Sequence, residues 1–317
     1  MPGPREDGGM AGSSRVLRAV AGTAGAAALA GAAGVGYAAG YEVRAFALRH
    51  ALVPVLPVGA APLRVLHLSD LHLVPRQHRK RAWVAALADL EPDLVVVTGD
   101  NLAAHDAVPA VLETYAGLLT RPGVFVLGSN DYWAPRPRNW SKYLLGPSSH
   151  AVGEEAVPLP TADLVRGFTD AGWVDLDNAR ARLGVGALDV EFVGVDDPHL
   201  GYDRYDDVAG PAAPDADLTI AVTHAPYRRT LDAMTADGAA LLVAGHTHGG
   251  QLCVPGYGAL VTNCDLPREQ VSGLSRWSAG GHDAWLHVSA GLGTSPYAPL
   301  RFACRPEATL LELVPRR

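Results

Sequence analysis

Side chains that bind divalent metal ions recur at five places in the chain, each directly after a short apolar run. They belong to Asp70 and His72, Asp100, Asn130, His224, and His246 and His248. The set offers about seven nitrogen and oxygen ligands and no thiolate, whereas a catalytic zinc takes only three protein ligands. Two ions about 3.5 to 4 Å apart, bridged by a carboxylate, would use the whole set. The residue types therefore indicate a two-metal centre, although Asp70 and His72 alone would be explained more simply by a solvated carboxylate beside a packed histidine.

The apolar runs that precede these side chains predict the strands that position them. They cover residues 63–68, 93–98, 123–127, 218–223 and 239–244. Near-continuous apolar strands are typical of sheets buried on both faces, and the i, i+4, i+7 spacing of Trp83, Leu87 and Leu90 predicts a helix between two of them. Because ligands of open α/β sheets collect beyond the carboxyl ends of the strands, we expect the five polar ends to converge on one crevice. Further apolar runs at 190–195, 286–289 and 309–314 are enough for two sheets packed face to face, with helices outside.

Composition excludes several classes of protein. Of the 317 residues, 48% are hydrophobic and 19% are charged, which allows a full core and excludes a disordered or fibrous chain. The net charge of −7 argues against a general nucleic-acid binder, so no nucleic-acid partner is expected. The three cysteines lack Cys-x-x-Cys spacing, so neither a disulfide framework nor a zinc ribbon is indicated.

The N-terminal segment has a different composition from the rest of the chain. No charged residue occurs between Arg18 and Glu42, and Ala and Gly dominate this stretch. Its length predicts a single-pass membrane anchor or an uncleaved signal, with a flexible Ala/Gly tail as the alternative. We therefore divide the chain into a tail and anchor at residues 1–41 and a catalytic domain at 42–317. The flanking basic residues leave the side of the membrane undetermined.

The order of the motifs resembles that of the calcineurin-like metallophosphoesterases, over residues 45–317. The segments that carry the resemblance are 66–72, 98–101, 128–131, His224 and 245–251, and they look like the bacterial membrane-associated branch of the family. The resemblance implies an α/β fold, a four-layer α/β/β/α sandwich preceded by one N-terminal hydrophobic helix. It also implies that one ion is bound by Asp70, His72 and His248 and the other by Asn130, His224 and His246, with Asp100 bridging the two.

Such a centre suits the hydrolysis of phosphoesters. Two divalent ions lower the pKa of a bridging water, supply hydroxide in line with phosphorus and neutralise charge on the phosphoryl oxygens. Mixed nitrogen and oxygen ligation suits Mn, Fe or Zn, and we favour Mn. We therefore expect a two-metal phosphohydrolase acting on a phosphodiester, a phosphomonoester or a pyrophosphate, with a nucleotide-linked or lipid-linked substrate. The alternatives are a metal-binding module with weak or no catalysis and a two-metal amide or lactone hydrolase.

The third motif departs from the family pattern of Gly-Asn-His-Asp/Glu. Here the sequence is Gly128-Ser129-Asn130-Asp131. An ungapped match makes Ser129 the ligand, whereas a shift of one residue keeps Asn130 as the ligand and puts Asp131 in place of the histidine. We prefer Asn130, because an amide oxygen coordinates better than a neutral hydroxyl. The usual histidine is missing either way, and its position falls to Asn130 or Asp131. His105 is the other catalytic candidate and could protonate the leaving group, although it is explained more simply as an exposed loop residue.

A basic cluster follows the first motif at the predicted start of a helix. It consists of Arg76, Arg79, Lys80 and Arg81. Positive charge is unfavourable at a helix N-terminus, so the cluster fits either an anionic partner, such as a substrate phosphate or lipid headgroups, or a solvated charge run. The same choice applies to the long loop predicted at residues 133–161, whose candidates for substrate contact are Trp133, Arg136, Arg138, Trp140 and Lys142.

Two groups of histidines and acids occur outside the motifs. Asp196, Asp197 and His199 follow a predicted strand and either orient the ligand imidazoles or form a turn at Asp197-Pro198. His67 and His287 lie within strand runs, so we expect them to be packed in the core.

Overall fold

The computed structural model describes residues 9–136 and 156–316. The strands, in chain order, are β1 (Ala47–Leu56), β2 (Leu63–Leu68), β3 (Leu94–Thr98), β4 (Gly123–Val126), β5 (Val174–Asp175), β6 (Ala179–Val185), β7 (Leu188–Gly194), β8 (Leu218–Val222), β9 (Leu241–Ala244), β10 (Cys253–Val254), β11 (Gly258–Ala259), β12 (Gly273–Ala279), β13 (His282–Val288) and β14 (Glu307–Pro315). The α-helices are α1 (Gly9–Gly36), α2 (His78–Ala85), α3 (Val108–Tyr115), α4 (Ser129–Tyr132), α5 (Thr161–Asp170) and α6 (Arg228–Ala236).

Two six-stranded sheets form the body of the molecule. Their strand orders are β1-β14-β2-β3-β4-β5 and β12-β13-β9-β8-β7-β6. In the first sheet β2, β3, β4 and β5 pair in parallel, and in the second β7, β8, β9 and β13 do the same. Parallel strands bring their carboxyl ends to one edge of a sheet, so the polar residues that follow β2, β3 and β4 share one edge, as do those that follow β8 and β9.

Alternate residues of the central strands pack on opposite faces of each sheet. In β3, Leu94 and Val96 contact the core between the sheets, while Val95 and Val97 contact the core beneath the helices. Both faces are fully buried, which explains why the sequence of this strand is a continuous apolar run. Helices α2, α3 and α5 cover the first sheet and α6 covers the second. The predicted four-layer sandwich is therefore confirmed.

The predicted strands are also confirmed, with ends that differ by a few residues. The helix predicted from Trp83, Leu87 and Leu90 begins at His78, and its last five residues, Ala86–Leu90, form a 3-10 helix. The three cysteines are free.

The uncharged N-terminal stretch forms most of α1, a helix of 28 residues. In residues 9–136 and 156–316, no helix is both long enough and apolar enough to cross a membrane. The single-pass anchor within residues 1–41 stays a prediction.

The segment after α1 is attached to the catalytic body. The buried carboxylate of Glu42 accepts hydrogen bonds from the backbone nitrogens of Ala303 (3.0 Å) and Cys304 (2.6 Å). The backbone nitrogen of Arg301 donates to the carbonyl oxygen of Ala38 at 3.3 Å. Three contacts thus link residues 38–42 to the turn at 301–304.

Candidate metal centre

The turns that follow the strands hold the candidate ligands in an unusual backbone conformation. Five of them have positive φ angles, namely Asp70 (50°), His72 (42°), Asp100 (55°), His246 (68°) and His248 (50°). Positive φ is uncommon for residues other than Gly and clusters at functional sites. Asp70 and His72 therefore do not continue the extended strand β2, which ends at Leu68. Left-handed turns aim their side chains. Two backbone hydrogen bonds hold the turn after β2 against the turn after β3, from Asp70 N to Gly99 O and from His72 N to Asp100 O, both 2.9 Å.

The first group of ligand atoms is compact. Donor atoms of Asp70, His72, Asp100 and His248 all lie within 4.8 Å of one another. His72 Nε2 lies 3.2 Å from His248 Nε2 and 3.4 Å from Asp100 Oδ2, and His248 Nε2 lies 3.6 Å from Asp70 Oδ1. These separations suit side chains that share one ion.

The second group surrounds the other oxygen of Asp100. His224 Nε2 lies 3.6 Å from Asp100 Oδ1 and 3.3 Å from His246 Nδ1. The backbone nitrogen of Asn130 donates to Asp100 Oδ1 at 2.6 Å, and its side-chain nitrogen donates to Oδ2 at 2.9 Å. Asp100 therefore contacts residues from both predicted ligand sets.

Backbone carbonyls orient two of the imidazoles. His224 Nδ1 lies 2.6 Å from Thr98 O, and His248 Nδ1 lies 3.1 Å from Gly293 O. A carbonyl only accepts, so the proton of each neutral ring sits on Nδ1 and the lone pair of Nε2 faces the cluster. Fixing the tautomer in this way is the usual arrangement around metal-binding histidines.

The residues fit divalent cations. The oxygen Asp70 Oδ1 is buried and has no hydrogen-bond partner within the described residues, and such orphaned groups are rare without an ion or water. Burial lowers the pKa of His72 to about 4 and lowers the pKa of His246 and His248 well below the ordinary value. These three rings are thus neutral near pH 7, the form that coordinates metals.

The charge around His224 points the same way. Burial lowers the pKa of this ring, but the carboxylates of Asp100, Asp197 and Asp70 raise it to about 9. The acidic groups around His224 thus favour a positive charge at this place, and a divalent cation would supply it.

The third motif forms the short helix α4 directly after β4. Asn130 lies against Asp100, whereas Ser129 Oγ accepts a long contact of 3.4 Å from Asn130 Nδ2. Gly128 has no space for a side chain, since an added Cβ would stand 2.5 Å from Asp100 Oδ1. The choice of Asn130 over Ser129 as ligand stays a prediction.

The other two candidates for proton transfer lie elsewhere. Asp131 is completely buried, and its carboxylate accepts from the backbone nitrogens of Asn101 (2.7 Å), Gly128 (3.1 Å) and Leu102 (3.2 Å). Burial raises the pKa of Asp131 to about 7. His105 is exposed in the turn before α3. The structure therefore places Asn130 in the cluster, Asp131 behind its backbone and His105 on the surface.

Residues after β7 approach the second group. The ring centroids of His199 and His246 are 4.4 Å apart, and His199 Nδ1 lies 3.1 Å from the hydroxyl of Tyr227. Asp197 is buried and accepts from the backbone nitrogen of His199 at 2.8 Å. The turn at Asp197-Pro198 is present, and it places His199 against the candidate ligand His246. A role in orienting the ligand imidazoles stays a prediction.

The two strand histidines are buried, as predicted. His67 Nδ1 and His287 Nδ1 are 2.9 Å apart, and His67 Nε2 lies 2.9 Å from Thr98 Oγ1. They pair with each other rather than with the candidate ligands.

The sequence did not reveal Arg301, which is fully buried. Its guanidinium donates to the carbonyl oxygens of Ala290 (2.7 Å), Gly293 (2.7 Å) and Gly291 (3.1 Å). The backbone next to His248 is held by this network. No sequence signal pointed to it, because Arg301 lies in a stretch without strand or helix periodicity, 53 residues after His248.

The sequence also did not predict the positions of Lys80 and Asn263. Lys80 was grouped with a surface cluster, yet it is buried, and its ammonium donates to Leu71 O at 2.7 Å. Asn263, which no motif includes, places its carbonyl oxygen 3.2 Å from His246 Nε2. The loop candidates Arg138, Trp140 and Lys142 lie outside the described residues, as does most of the predicted loop at 133–161.

Comparison with known proteins places these motifs in a wider group. A family model described as calcineurin-like phosphoesterase matches residues 63–250. The chain is similar to Phosphodiesterase YaeI of Escherichia coli, with 29% identity over 84% of this chain and 87% of that protein. It is 25% identical to the uncharacterized metallophosphoesterase YkuE of Bacillus subtilis over 94% of this chain and 96% of that protein.

A vertebrate relative is longer. The chain is 27% identical to the Bos taurus transmembrane protein with metallophosphoesterase domain, over 82% of this chain and 55% of that protein. The chain thus spans about half the length of this relative.

Proposed function

The chain belongs to the calcineurin-like phosphoesterase family and is a metal-dependent hydrolase, and we propose that it hydrolyses phosphoester bonds with two divalent cations. In this proposal one cation is bound by Asp70, His72 and His248 and the other by Asn130, His224 and His246, with Asp100 between them. Mn, Fe and Zn suit this ligand set, and Mn is the first choice for assays.

The contacts of Asp100 carry the proposal. One of its oxygens faces His72 Nε2 at 3.4 Å and the other faces His224 Nε2 at 3.6 Å. A single carboxylate in contact with two histidine groups is the arrangement expected of a bridging ligand. Divalent cations held there would activate water for attack on phosphorus and offset charge on the phosphoryl oxygens.

The protein's own residues prepare the centre. Carbonyls hold His224 and His248 in the tautomer that presents Nε2, and Asn130 holds Asp100 through two hydrogen bonds. Asp131 acts as a positioning residue in this proposal, because its carboxylate is occupied by backbone nitrogens of the turn after Asp100.

The missing histidine restricts the leaving group. General acid catalysis contributes typically about 10² to 10⁴-fold, and the residue that would provide it in the third motif is Asn130 or Asp131 instead. Substrates whose leaving group departs without a proton, such as an aryl oxide or a phosphate, should therefore be hydrolysed much faster than substrates with an alkyl oxide leaving group. Phosphodiesters and pyrophosphates with acidic leaving groups are the proposed substrates.

Turnover of bis-p-nitrophenyl phosphate with added Mn²⁺ tests the function. The wild type should release p-nitrophenol, and Asp100→Asn should abolish release, because it removes one charged oxygen from the shared carboxylate. Asp106→Asn is the matched control, since Asp106 is an exposed carboxylate six residues away. Metal content measured on the same samples separates the alternatives. A wild type that binds metal but cleaves no phosphoester would be the metal-binding module, and one that cleaves only carboxylic esters or amides would be the rival hydrolase.

We also propose that α1 associates with membranes. The vertebrate relatives are named transmembrane proteins, and the end of α1 and the turn after it expose Leu29, Val35, Tyr37 and Tyr41. Tyrosines are enriched at membrane interfaces. Sedimentation with liposomes should retain the full chain and lose a variant with Leu29→Ser and Val35→Ser. Equal sedimentation of both proteins would refute this role.

A further inference from the structure

A cavity of about 550 Å³ opens beside the candidate metal centre. It is lined by His72 and by Gly293, whose carbonyl oxygen lies 3.1 Å from His248 Nδ1. The cavity therefore adjoins two predicted ligands of the same ion. Its volume is within the range of sites for small molecules.

Basic side chains surround this cavity. Its lining includes Arg44, Arg76, His78, Arg79 and Lys80, and none of the described residues that line it is Asp or Glu. The protein as a whole carries a net charge of −7, so this concentration of positive charge runs against the overall composition. A concave surface lined by one sign of charge attracts ligands of the opposite sign.

Two arginines of this lining, Arg76 and Arg79, are available to a ligand. Arg44 donates to Gly40 O at 2.7 Å and Lys80 donates to Leu71 O at 2.7 Å, so both are engaged. Arg76 and Arg79 are exposed, and neither guanidinium forms a hydrogen bond or ion pair with a described residue. Arg79 lies in the first turn of α2 and Arg76 directly precedes its N-cap, Gln77, and positive charge near a helix N-terminus is unfavourable unless an anion binds.

The rest of the lining is largely apolar. It includes Val43 and Phe46 from the segment after α1, together with Val74, Pro296 and Pro299. The segment that connects α1 to the catalytic body thus forms part of the cavity wall. A ligand that fills the cavity needs an anionic part near the arginines and a less polar part elsewhere.

We propose that this cavity binds a second phosphate, so that the substrate is a diphosphate diester whose P–O–P bond is cleaved at the metal centre. This proposal rests on the proposed function and names its substrate class. One phosphorus lies at the cations, and the other phosphate lies in the cavity against Arg76 and Arg79. Guanidinium groups bind phosphate through paired, charge-assisted hydrogen bonds.

The reaction balances without a further reagent. A diester R–O–PO₂⁻–O–PO₂⁻–O–R′ and one water give R–O–PO₃H⁻ and R′–O–PO₃H⁻. The P–O bond to the bridging oxygen breaks, and that oxygen leaves with the second phosphate. A phosphate monoester has a second pKa of about 6, so it departs without a general acid, which is consistent with the missing histidine of the third motif.

The test compares substrates with one and two phosphorus atoms. Bis-p-nitrophenyl phosphate needs the metal centre alone, whereas ADP-ribose and CDP-diacylglycerol in detergent micelles also present a second phosphate. Arg76→Gln with Arg79→Gln should raise KM for both diphosphates at least about tenfold, given the strength of charged hydrogen bonds. The same double variant should leave kcat/KM for bis-p-nitrophenyl phosphate within twofold of the wild type.

The matched control is Arg121→Gln with Arg166→Gln. It removes the same net charge from surface arginines that pair with Glu91 and Asp163, outside the cavity lining. An equal rise in KM in both double variants would overturn the inference, because the effect would then be one of net charge.

The outcomes also separate the inference from the proposed function. Hydrolysis of bis-p-nitrophenyl phosphate without hydrolysis of either diphosphate would overturn the inference and leave the function standing. No hydrolysis of any phosphoester by the metal-loaded protein would remove both. A larger kcat/KM for CDP-diacylglycerol would assign the apolar lining to acyl chains, and a larger value for ADP-ribose would assign it to a nucleoside or sugar. Either result supports a diphosphate site.

Discussion

Substitution of Gly128 by Ala should weaken metal binding, because the added methyl group would overlap the shared carboxylate. The new Cβ would lie 2.5 Å from Asp100 Oδ1 and 2.7 Å from His224 Cε1. Neither neighbour moves freely, since Asp100 accepts two hydrogen bonds from Asn130 and His224 is fixed by Thr98 O. The methyl group must therefore displace candidate ligands of the second ion.

The magnitude follows from the cost of overpacking. Extra atoms in a closely packed site cost about 1 to 3 kcal/mol. If the displaced groups are the ligands, this cost appears in metal affinity, and about 1.4 kcal/mol corresponds to a tenfold change in Kd. We therefore expect Gly128→Ala to raise the Kd for Mn²⁺ about 5- to 150-fold, with a parallel loss of kcat/KM for bis-p-nitrophenyl phosphate.

Titration calorimetry with Mn²⁺ measures the effect, and Gly184→Ala is the control. Gly184 lies exposed on β6, and a Cβ there would meet no atom within 4 Å. The control should bind Mn²⁺ as the wild type does. A Kd for Gly128→Ala within twofold of the wild type, in a protein that melts normally, would refute the placement of the second ion beside Asp100.

Three further predictions concern groups around the centre. Burial lowers the pKa of His287 to about 4, whereas an unfolded histidine titrates near a pKa of about 6.5. The unfolded state therefore binds more protons between these values, and the free energy of unfolding should fall by up to about 3 kcal/mol from pH 6.5 to pH 4. Denaturant titrations should show a shallower fall for His287→Asn, and equal slopes would contradict this account. Asp131→Asn leaves one acceptor oxygen for three backbone donors and should cost about 1 to 3 kcal/mol, seen as a lower melting temperature; an unchanged melting curve would argue against its positioning role. Arg301→Gln should lower Mn²⁺ affinity at least about tenfold by releasing the backbone near His248, and calorimetry showing unaltered affinity would disprove the coupling.

The sequence predicted the layers of this fold because burial leaves a direct record in residue types. Strands such as β3 are buried on both faces and read as unbroken apolar runs. The ends of these strands could be located for the same reason, since Asp70, Asp100 and His224 are the first chemically active side chains after each run. Parallel pairing then requires that they meet.

The supporting residues left no such record. Lys80 has the same local signature as its exposed neighbour Arg79, and only the tertiary structure shows that its ammonium donates to the carbonyl of Leu71. Arg301 contacts backbone atoms of residues 290–293, and a carbonyl is present at every position of any sequence. A hydrogen bond to a backbone carbonyl does not depend on the residue type of the acceptor, so residue patterns do not predict it.

The strained turns explain why Lys80 and Arg301 are buried near the centre. A residue other than Gly in the left-handed region costs about 1 kcal/mol or more, and the cluster contains five of them, including Asp70, His72 and His248. A typical domain is stable by only about 5 to 15 kcal/mol, so this strain is a large fraction of the total and must be offset locally. Lys80 binds the carbonyl of Leu71, between two of the strained residues, and Arg301 binds the carbonyl of Gly293, which in turn orients His248. Hydrogen bonds from these two buried basic side chains therefore stabilise backbone conformations that aim the ligands, and the geometry of the centre depends on residues that do not themselves coordinate metal.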